Sequence, residues 1–503
     1  MLDYNFWTIS LSLLSSWLLY HLITRILSWR DLPPGPWGLP VIGYLPWLDP
    51  EHPYESFTKL ARKFGSIYSV QLGRLPTIVI TDPKMIKQAF NMDALTGRAD
   101  LYLTHGIFKG YGLICSEGPR WREQRKFAST CRKNQGMAKS HPKREKLEAL
   151  ILNGVKDTMM RITDTETSAT SGVEFSPFLT HSIGNVMNVI IFGREFAYDD
   201  PTWKLLTHLS EEGVKLIGVA GPLNFLPFLR VIPKFRASMD FIVGGLERTH
   251  EIYREITREH SGDEEDVVGC FLREQRSRQG REGDSKVAQH SFCDDQLNFL
   301  AADLFGAGLD TPLATLRWFF TMMAVYPEVQ EKIHTELTTV LANHSPCLDD
   351  AQRLPYLEAA ISESQRLRTV VPTGIPHGVN TDCALGDYQL KKGTMVVPLL
   401  WAVHLDPKIW PEPEEYRPER FLDEMGNYRR MEAWMPFQTG KRVCLGEELA
   451  RMIIFLYAST ILQKFKIEFP DDEVPEGKDP LEGVCGITLL PKYGRLIFKS
   501  RVS

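Results

Sequence analysis

The sequence of 503 residues contains none of the glycine-rich motifs that identify a built-in nucleotide site. Neither G-x-G-x-x-G nor G-x-x-x-x-G-K followed by Ser or Thr occurs, so a nicotinamide, flavin or ATP site has no support. The eight cysteines include no C-x-x-C pair, and neither a zinc ribbon nor a dithiol motif is indicated. The formal net charge of -5 gives no global signature of nucleic-acid binding. Electrons for any redox reaction would therefore come from a partner.

Charged residues are also absent from one long apolar run near the N-terminus, since residues 5–24 contain no Asp, Glu, Lys or Arg. About 20 such residues are enough for a helix to cross a bilayer. Asp3 precedes the run and Arg25 and Arg30 follow it, which is unlike a cleaved signal peptide and places the N-terminus in the lumen. We predict a transmembrane anchor over residues 1–28. A buried amphipathic helix is the alternative, and the serines within the run would suit it.

The rest of the chain predicts a mainly α protein with small β-sheets. Prolines and glycines break up residues 29–50, which predicts a stiff hinge before a main body at residues 51–503. Residues 67–83 predict two short strands around a turn, and long helical patterns follow. Further strand-like stretches occur at residues 383–404 and 483–500. Residues 262–290 are charged and poor in apolar side chains towards their end, which predicts an exposed linker between helices.

Seven of the eight cysteines are predicted to be small buried side chains, but Cys444 has neighbours that suggest a chemical role. It lies in FQTGKRVCLG, residues 437–446, just before an apolar helical pattern. A helix N-terminus together with Lys441 and Arg442 would help to keep the thiol ionised. One sulfur without a second soft ligand, beside glycines that leave room for a flat group, suits an axial ligand of haem iron better than zinc. A structural cysteine in a turn is the alternative for this loop taken alone.

This loop matches F-x-x-G-x-R-x-C-x-G, the cysteine loop of the cytochrome P-450 haem-thiolate monooxygenases, at every fixed position, and the chain resembles that family over nearly its whole length. The resemblance implies the cytochrome P-450 fold, with a long central helix over a haem b group and residues 51–503 as the catalytic domain. It assigns Cys444 as the thiolate ligand of the iron. Phe437 and Gly440, in the same motif, would lie against the haem.

A pattern of about thirty helical residues before Pro327 predicts the long central helix. It contains Gly306 and Gly308, which each weaken a helix by about 1 kcal/mol relative to Ala, and Pro312, which weakens it by about 3 kcal/mol. Because Pro312 has no N–H to donate to the Gly308 carbonyl, we expect the helix to open locally. A kink that serves packing alone is the alternative.

The family pattern A-G-x-(D/E)-T is present within this helix, at residues 307–311. The resemblance implies that Thr311 and Asp310 deliver the protons needed to split dioxygen, and that Ala307 lies beside the haem.

Several cations and hydrogen-bond donors would bind the haem propionates, according to the resemblance. Guanidinium groups suit this role because they bind carboxylates in a bidentate manner. The residues are Trp121 and Arg125 in W-x-x-x-R, Arg98 in TGRADL, His377 in GIPHG and Arg442 in the cysteine loop. Each of them, taken alone, would more commonly be a solvated surface residue.

A charged pair one helix turn apart, Glu363 and Arg366, matches the E-x-x-R of the family, and Arg420 supplies the usual third member. The resemblance implies that these residues support the fold around the cysteine loop and take no part in the chemistry. An isolated surface pair of this kind contributes only about 0.5 kcal/mol.

The resemblance further implies a lipophilic substrate and two kinds of partner. The substrate would contact apolar side chains, namely Phe108, Phe305, Val371 and Ile487, with Leu223 and Phe225 nearby. NADPH would supply electrons through a flavoprotein, NADPH-cytochrome reductase, with cytochrome b5 as a second donor. The basic run at residues 131–146 would attract such an acidic partner, or it is simply a solvated face. The enzyme would lie in the endoplasmic reticulum membrane with its catalytic domain in the cytosol, and no nucleic acid is implied.

Within the family, LPPGPWGLPVIG and PTGIPHG resemble the animal microsomal group. The combination of FQTGKRVCLGEELARM with AGLDTP most resembles the arthropod ecdysteroid 25-hydroxylases, which implies side-chain hydroxylation of a sterol-derived precursor. A broad hydroxylase of foreign compounds, fatty acids or steroids is the alternative within the family. A haem-thiolate isomerase is an alternative that needs no reductase, but such enzymes often lack the Asp-Thr pair present here. A non-catalytic haem sensor is a second alternative, and it would need neither an electron donor nor a proton relay.

Overall fold

The computed structural model describes residues 7–10, 12–13, 15–17, 19–20, 31–138, 140–165, 171–216, 221–279, 291–342 and 344–501. The predicted membrane anchor over residues 1–28 lies largely outside these residues. Among the described helices, none is both long and apolar enough to span a bilayer.

Helices make up most of the described chain, as predicted. They are α1 (Pro53–Phe64), α2 (Pro83–Asn91), α3 (Gly118–Arg132), α4 (Arg144–Asp164), α5 (Ser176–Phe192), α6 (Pro201–Leu216), α7 (Pro222–Phe225), α8 (Pro233–Glu259), α9 (Val267–Gln279), α10 (Asp294–Val325), α11 (Pro327–Leu341), α12 (Pro355–Leu367), α13 (Leu400–His404) and α14 (Glu447–Lys464). Many begin at a proline, whose fixed φ suits the first turn and whose missing N–H costs nothing there. The side chain of Asp82 caps α2 by accepting a hydrogen bond from the Met85 N–H at 2.7 Å.

The strands of the described residues are short and form four small sheets. They are β1 (Ile67–Leu72), β2 (Leu75–Ile80), β3 (Gly97–Arg98), β4 (Val173–Glu174), β5 (His377–Gly378), β6 (Cys383–Leu385), β7 (Tyr388–Leu390), β8 (Met395–Pro398), β9 (Phe465–Glu468), β10 (Gly483–Cys485), β11 (Leu489–Pro491) and β12 (Arg495–Ser500). The largest sheet has the order β1-β2-β8-β5-β3. Its first two strands form the predicted hairpin, and its last two place Arg98 directly opposite His377.

The long helix α10 is the centre of the core. It packs against α5 on one side and α14 on another, and it also contacts β11. Its last two turns, residues 318–325, are apolar except for Thr321, and Trp318, Phe319 and Phe320 are buried. A helix segment that is apolar on every face packs inside the protein, which is why this end of α10 lies in the core.

The prediction of an exposed linker over residues 262–290 is wrong for the first half of that stretch. Residues from Val267 to Gln279 form α9, and Val267, Val268 and Phe271 are buried. These apolar side chains lie at helical spacing near the start of the stretch, where they anchor one helix face to the core. The charged second half, residues 280–290, lies outside the described residues.

Candidate active site

The loop that carries Cys444 is folded by its own backbone just before α14. The Cys444 N–H donates to the Phe437 carbonyl at 3.0 Å, and the Val443 N–H donates to the Gly440 carbonyl at 3.1 Å. These bonds turn the chain back on itself, so Cys444 and Phe437 lie together although six residues separate them.

The two glycines of this loop have different surroundings. Gly440 has a φ of 80°, in the region that favours glycine, and an added Cβ would lie 2.2 Å from the carbonyl oxygen of Phe90. At Gly446 an added Cβ would meet nothing closer than the Cys444 sulfur, at 3.9 Å. The turn and the close approach of α2 therefore require Gly440, whereas Gly446 leaves space beside the sulfur.

The Cys444 side chain is exposed on one side and enclosed by protein on the others. Burial raises the pKa of the thiol, while the N–H groups of Gly446 and Glu447 and the Arg125 guanidinium lower it. A cation that coordinates such a thiol removes its proton. A cavity of about 310 Å³ borders the sulfur, and its walls are Arg125, Ser129, Arg132, Val443, Cys444, Leu445, Glu447 and Glu448.

Lys441 and Arg442, the two loop cations that we expected beside the thiol, form their contacts with other groups. Lys441 Nζ lies 2.6 Å from Asp93 Oδ1. The Arg442 guanidinium is buried, and it donates to the carbonyls of Thr96 at 2.6 Å and Ser116 at 2.5 Å. The cation that lowers the pKa of Cys444 is therefore Arg125 on α3 and not a residue of the loop, while the Glu447 carboxylate acts in the opposite direction.

The predicted propionate ligands form one cluster around the carbonyl of Ile114. Arg98 Nε donates to this oxygen at 2.8 Å, and Arg442 Nη1 donates to it at 3.3 Å. The Arg442 guanidinium lies 4.4 Å from the centre of the Trp121 ring, a cation–π distance. Arg125, one turn after Trp121 on α3, donates to the Val443 carbonyl at 2.6 Å.

His377 lies at the edge of this cluster with one ring nitrogen unpartnered. Its Nδ1 is 2.6 Å from the Leu95 carbonyl oxygen, and its ring stacks on Phe90 with centroids 3.9 Å apart. Burial lowers its pKa well below the usual range, so the ring is neutral, with its proton on Nδ1 and Nε2 as an acceptor. Nε2 is buried without a hydrogen-bond partner among the described residues, and so is the hydroxyl of Ser116.

The charge of the cluster suits a ligand with carboxylates. Burial lowers the pKa of Arg442 to about 8 and that of Arg98 to about 10, and Arg125 adds to the repulsion at both. Glu117 partly balances this charge, and it also accepts the backbone N–H of Arg98. An added anion would restore the balance, and the Ser116 hydroxyl could donate to it. The residues present therefore fit a haem group with its two propionates.

Thr311 and Ala307 lie on the central helix and are joined by a side-chain hydrogen bond. Thr311 Oγ1 donates to the Ala307 carbonyl at 2.9 Å, and Ala307 itself is exposed. Helix α10 runs without interruption through Pro312, which has no N–H to donate to the Gly308 carbonyl. Gly308 is explained by packing, because an added Cβ would lie 2.4 Å from Met187 Cε on α5.

Asp310 has a hydrogen-bond partner that the sequence did not indicate. Its Oδ2 accepts a hydrogen bond from Thr488 Oγ1 at 2.7 Å, in the turn between β10 and β11. Burial raises the pKa of Asp310 to about 6, while the Thr488 hydroxyl and Arg317 act in the opposite direction. The carboxyl group is therefore a weak acid that exchanges its proton near neutral pH.

Asp303 is a further site residue that sequence reasoning missed. It lies one turn before Ala307 on α10 and accepts the backbone N–H groups of Leu113 at 2.6 Å and Ile114 at 2.8 Å. Burial raises its pKa to about 6. It thereby holds the backbone N–H of Ile114, the residue whose carbonyl accepts hydrogen bonds from Arg98 and Arg442. A single Asp in an apolar helix gives no sequence signal for such a contact.

Glu363, Arg366 and Arg420 form a buried network instead of a surface pair. Arg366 donates to both Glu363 oxygens, at 2.6 and 2.8 Å, and Arg420 Nε lies 3.2 Å from Glu363 Oε1. Arg366 also donates to the His404 carbonyl at 2.9 Å, and His404 Nε2 accepts the Met435 N–H at 3.0 Å. The network thus reaches the segment that leads into the cysteine loop.

The predicted substrate contacts lie on four separate segments. Phe305 is buried and packs edge-on against Trp203 at 6.2 Å. Phe108 packs edge-on against Phe299 of α10, also at 6.2 Å. Val371 and Ile487 are half-buried on neighbouring segments, which the hydrogen bond from Leu489 N–H to the Val370 carbonyl joins at 2.8 Å. Leu223 and Phe225 are buried in the short helix α7.

Comparison with known proteins identifies relatives over nearly the whole chain. The family model for Cytochrome P450 matches residues 33–498. Cytochrome P450 306a1 of Drosophila melanogaster is 41% identical over an alignment that covers 93% of this chain and 88% of that protein. Cytochrome P450 18a1 of the same species is 32% identical, with 96% and 90% covered. Cytochrome P450 2K4 of Oncorhynchus mykiss is 33% identical, with 93% and 92% covered.

Proposed function

Because the chain belongs to the cytochrome P450 family and is a monooxygenase, we propose that it hydroxylates the side chain of a sterol-derived ecdysteroid precursor at carbon 25. The observation that supports this substrate is the combination of AGLDTP with the cysteine loop FQTGKRVCLGEELARM, which resembles the arthropod 25-hydroxylases. The chain is 41% identical with Cytochrome P450 306a1, against 32% with the second insect relative and 33% with the fish protein, so its likeness is to that one insect relative in particular.

Cys444 is the proposed thiolate ligand of the iron, and the cation cluster is the proposed propionate site. The exposed sulfur, the space beside Gly446 and the unbalanced charge of Arg98 and Arg442 support both assignments. Bound haem supplies the oxidising chemistry, since a thiolate ligand favours cleavage of the O–O bond. In the net reaction, one atom of O2 enters the substrate as a hydroxyl group. The other leaves as water, with two electrons and two protons supplied from NADPH and solvent.

Thr311 and Asp310 are the proposed route for those protons. Thr311 Oγ1 can exchange its bond to the Ala307 carbonyl for one to a reacting oxygen or to water. The carboxyl of Asp310, with its pKa near 6, is suited to release and regain a proton at neutral pH. Retention of both groups favours a monooxygenase over a haem-thiolate isomerase, which needs no proton delivery to dioxygen.

The proposed setting is the endoplasmic reticulum membrane, with residues 1–28 as a single anchor, 29–50 as the hinge and 51–503 as a cytosolic catalytic domain. NADPH-cytochrome reductase is the proposed electron donor, and cytochrome b5 is a second one. Some cations of the face predicted to bind them are paired internally, since Arg144 lies 3.2 Å from Glu448 and Lys143 pairs with Glu265. The remaining lysines and arginines of this face would steer an acidic partner.

The experiment that tests the substrate uses the membrane-bound full chain with a reductase and NADPH. It is incubated with a panel of sterol-derived ketodiols and triols and, separately, with common lipophilic drugs, and the products are identified by mass spectrometry. We expect a single hydroxylated product from the sterols. Turnover of many drugs without any sterol product would favour the broad hydroxylase, and product formation without NADPH would favour the isomerase.

The haem assignment has its own readout. Reduction under carbon monoxide should give the absorbance band typical of thiolate ligation, and Cys444→Ala should abolish it. Thr311→Ala should keep that band but release electrons as hydrogen peroxide instead of product. A Thr311→Ala enzyme that couples NADPH use to product as well as wild type would contradict the proton route.

A further inference from the structure

Glu447, the first residue of α14, places a carboxylate at the cysteine cavity and pairs with two arginines. Glu447 and Cys444 both border the cavity of about 310 Å³. Arg430 Nη1 lies 3.1 Å from Glu447 Oε1, and Arg451 Nε lies 3.2 Å from the same oxygen. One carboxylate oxygen therefore binds two cations at the edge of the space beside the sulfur.

Arg451 is held over the aromatic side chains that lead into the cysteine loop. Its guanidinium carbon lies 5.1 Å from the centre of the Trp434 ring and 5.5 Å from the centre of the Phe437 ring, both cation–π distances. Trp434 is itself fixed, because its Nε1 donates to the Ser362 carbonyl at 3.0 Å. The Phe437 carbonyl accepts the Cys444 N–H at 3.0 Å. The positive charge of Arg451 thus has a defined place beside the loop.

Arg430 completes the group from the solvent side. Its guanidinium carbon lies 5.2 Å from the centre of the Trp434 ring. Half of the Arg430 side chain is exposed, whereas 29% of Arg451 and 23% of Glu447 are. Water and salt screen exposed charges more strongly than partly buried ones. Glu447 and Arg451 should therefore act on their surroundings more strongly than Arg430 does.

The start of α14 acts on the Cys444 sulfur in two opposite ways. Burial raises the pKa of the thiol and the Glu447 carboxylate raises it further, while the backbone N–H groups of Gly446 and Glu447 lower it. A helix N-terminus stabilises negative charge, and a carboxylate placed there cancels part of that effect. One-electron reduction at this site adds a negative charge beside the sulfur, so the same groups would act on the reduction.

We propose that Glu447, balanced by Arg451 and Arg430, sets the reduction potential of the haem held by Cys444. The inference rests on the proposed thiolate role of Cys444. Repulsion between the Glu447 carboxylate and the added electron makes reduction less favourable, and the two guanidinium groups offset part of that repulsion. Groups around the axial ligand are one of the means by which a protein tunes a haem. Glu447 is thus a positioning residue, because it acts through the field at the sulfur.

The test measures the midpoint potential of the full-length, haem-loaded protein by spectroelectrochemical titration, without substrate or reductase. Glu447→Gln keeps the shape of the side chain and removes its charge, so the midpoint should move to more positive values. Arg451→Gln removes a cation that offsets the Glu447 charge, so the midpoint should move to more negative values. Midpoints equal to that of wild type in both variants, or shifts of the opposite sign, would overturn the proposal.

Two further variants separate charge at this place from net charge and from packing. Glu432→Gln also removes one carboxylate, but Glu432 pairs with Lys87 at 2.8 Å and is 72% exposed, so its midpoint should stay at the wild-type value. Arg451→Lys keeps the charge without the planar guanidinium, so it should restore the midpoint. Equal shifts in Glu432→Gln and Glu447→Gln, or a Lys variant that behaves like Arg451→Gln, would contradict the role assigned to the local charges.

The absorbance band of the reduced carbon monoxide complex distinguishes failure of this inference from failure of the haem assignment. Wild type and every variant should show the band typical of thiolate ligation, since none of the substitutions changes Cys444. Absence of the band in folded wild type would refute the thiolate assignment and this inference with it. An intact band with equal midpoints in all variants would refute the inference alone. Neither outcome depends on the proposed sterol specificity.

Discussion

Glu363→Ala should destabilise the protein much more strongly than removal of an ordinary helix ion pair. The two Glu363 oxygens accept four hydrogen bonds: from Arg366 at 2.6 and 2.8 Å, from the Arg417 N–H at 2.9 Å and from Arg420 at 3.2 Å. Glu363 and Arg366 are both 0% exposed. Removing one member of a buried pair leaves the other charge uncompensated, which costs about 3–5 kcal/mol.

Unfolding of a large haem protein is commonly irreversible, so the assay follows the rate of heat inactivation, measured as loss of the haem-thiolate absorbance at a fixed temperature. If the network breaks before the transition state of unfolding, about 3 kcal/mol corresponds to a rate increase on the order of 100-fold.

The matched control is Glu251→Ala in α8. Glu251 pairs with Arg248 at the same spacing of three residues and a distance of 2.8 Å, but both side chains are half exposed. An exposed pair contributes about 0.5 kcal/mol, so inactivation should accelerate only about twofold. The reasoning is refuted if Glu363→Ala decays no faster than Glu251→Ala.

Three further predictions concern the cysteine loop and the central helix. Gly440→Ala should lower thermal stability and haem retention, because the φ of Gly440 is 80° and an added Cβ would lie 2.2 Å from the Phe90 carbonyl oxygen. Gly446→Ala, where an added Cβ meets no close atom, should leave thermal stability unchanged. Equal thermal stability of the two variants would contradict this prediction. Thr488→Val should raise the pKa of Asp310 above about 6, because it removes the hydroxyl that donates to the carboxylate. The pH profile of product formed per NADPH should therefore shift to higher pH, and Thr488→Ser should restore it. An unchanged profile would contradict the role of Asp310 in proton delivery. Because the pKa of Asp310 is raised in the folded state, stability should fall as pH rises from about 4 to 6. The rate of heat inactivation should therefore rise with pH over this range, and Asp310→Asn should remove that part of the pH dependence.

Local patterns predicted the elements of this fold where each element has one dominant signal. The hairpin at residues 67–83 and the helix before Pro327 are confirmed, because each is rich in apolar residues and has a clear boundary, at Gly73 and Arg74 between the strands and at Pro327 after the helix. The prediction of an exposed linker over residues 262–290 was wrong for its first half, because the charged composition of the second half was taken to describe the whole stretch. Three apolar residues in the first half begin α9.

Cysteine burial was predicted poorly for a related reason. Of the seven cysteines expected to be buried, only Cys115 and Cys131 are. Burial depends on which helices meet, and spacing along the chain does not encode that.

The candidate site likewise contains residues that the sequence could indicate and residues that it could not. Its motif residues could be named from the sequence by family resemblance, and their roles remain predictions. Asp303 and Thr488 could not be named, because their partners Ile114 and Asp310 are 189 and 178 residues away along the chain. A contact of that length is created by the fold, and a single sequence contains no periodicity that would report it.

The backbone of Ile114 links the two halves of the candidate site. Its N–H is held by Asp303 on α10 at 2.8 Å, and its carbonyl accepts hydrogen bonds from Arg98 at 2.8 Å and Arg442 at 3.3 Å. The N–H and the carbonyl of one residue belong to two successive planar peptide groups that meet at its Cα, so only the φ and ψ angles of Ile114 separate the two contacts. A displacement of α10, which carries Ala307 one turn further on, must therefore be absorbed by these two angles or passed to the carbonyl that the two cations share. Helix α10 and the cation cluster are thus joined through Asp303 and Ile114, which belong to none of the family motifs.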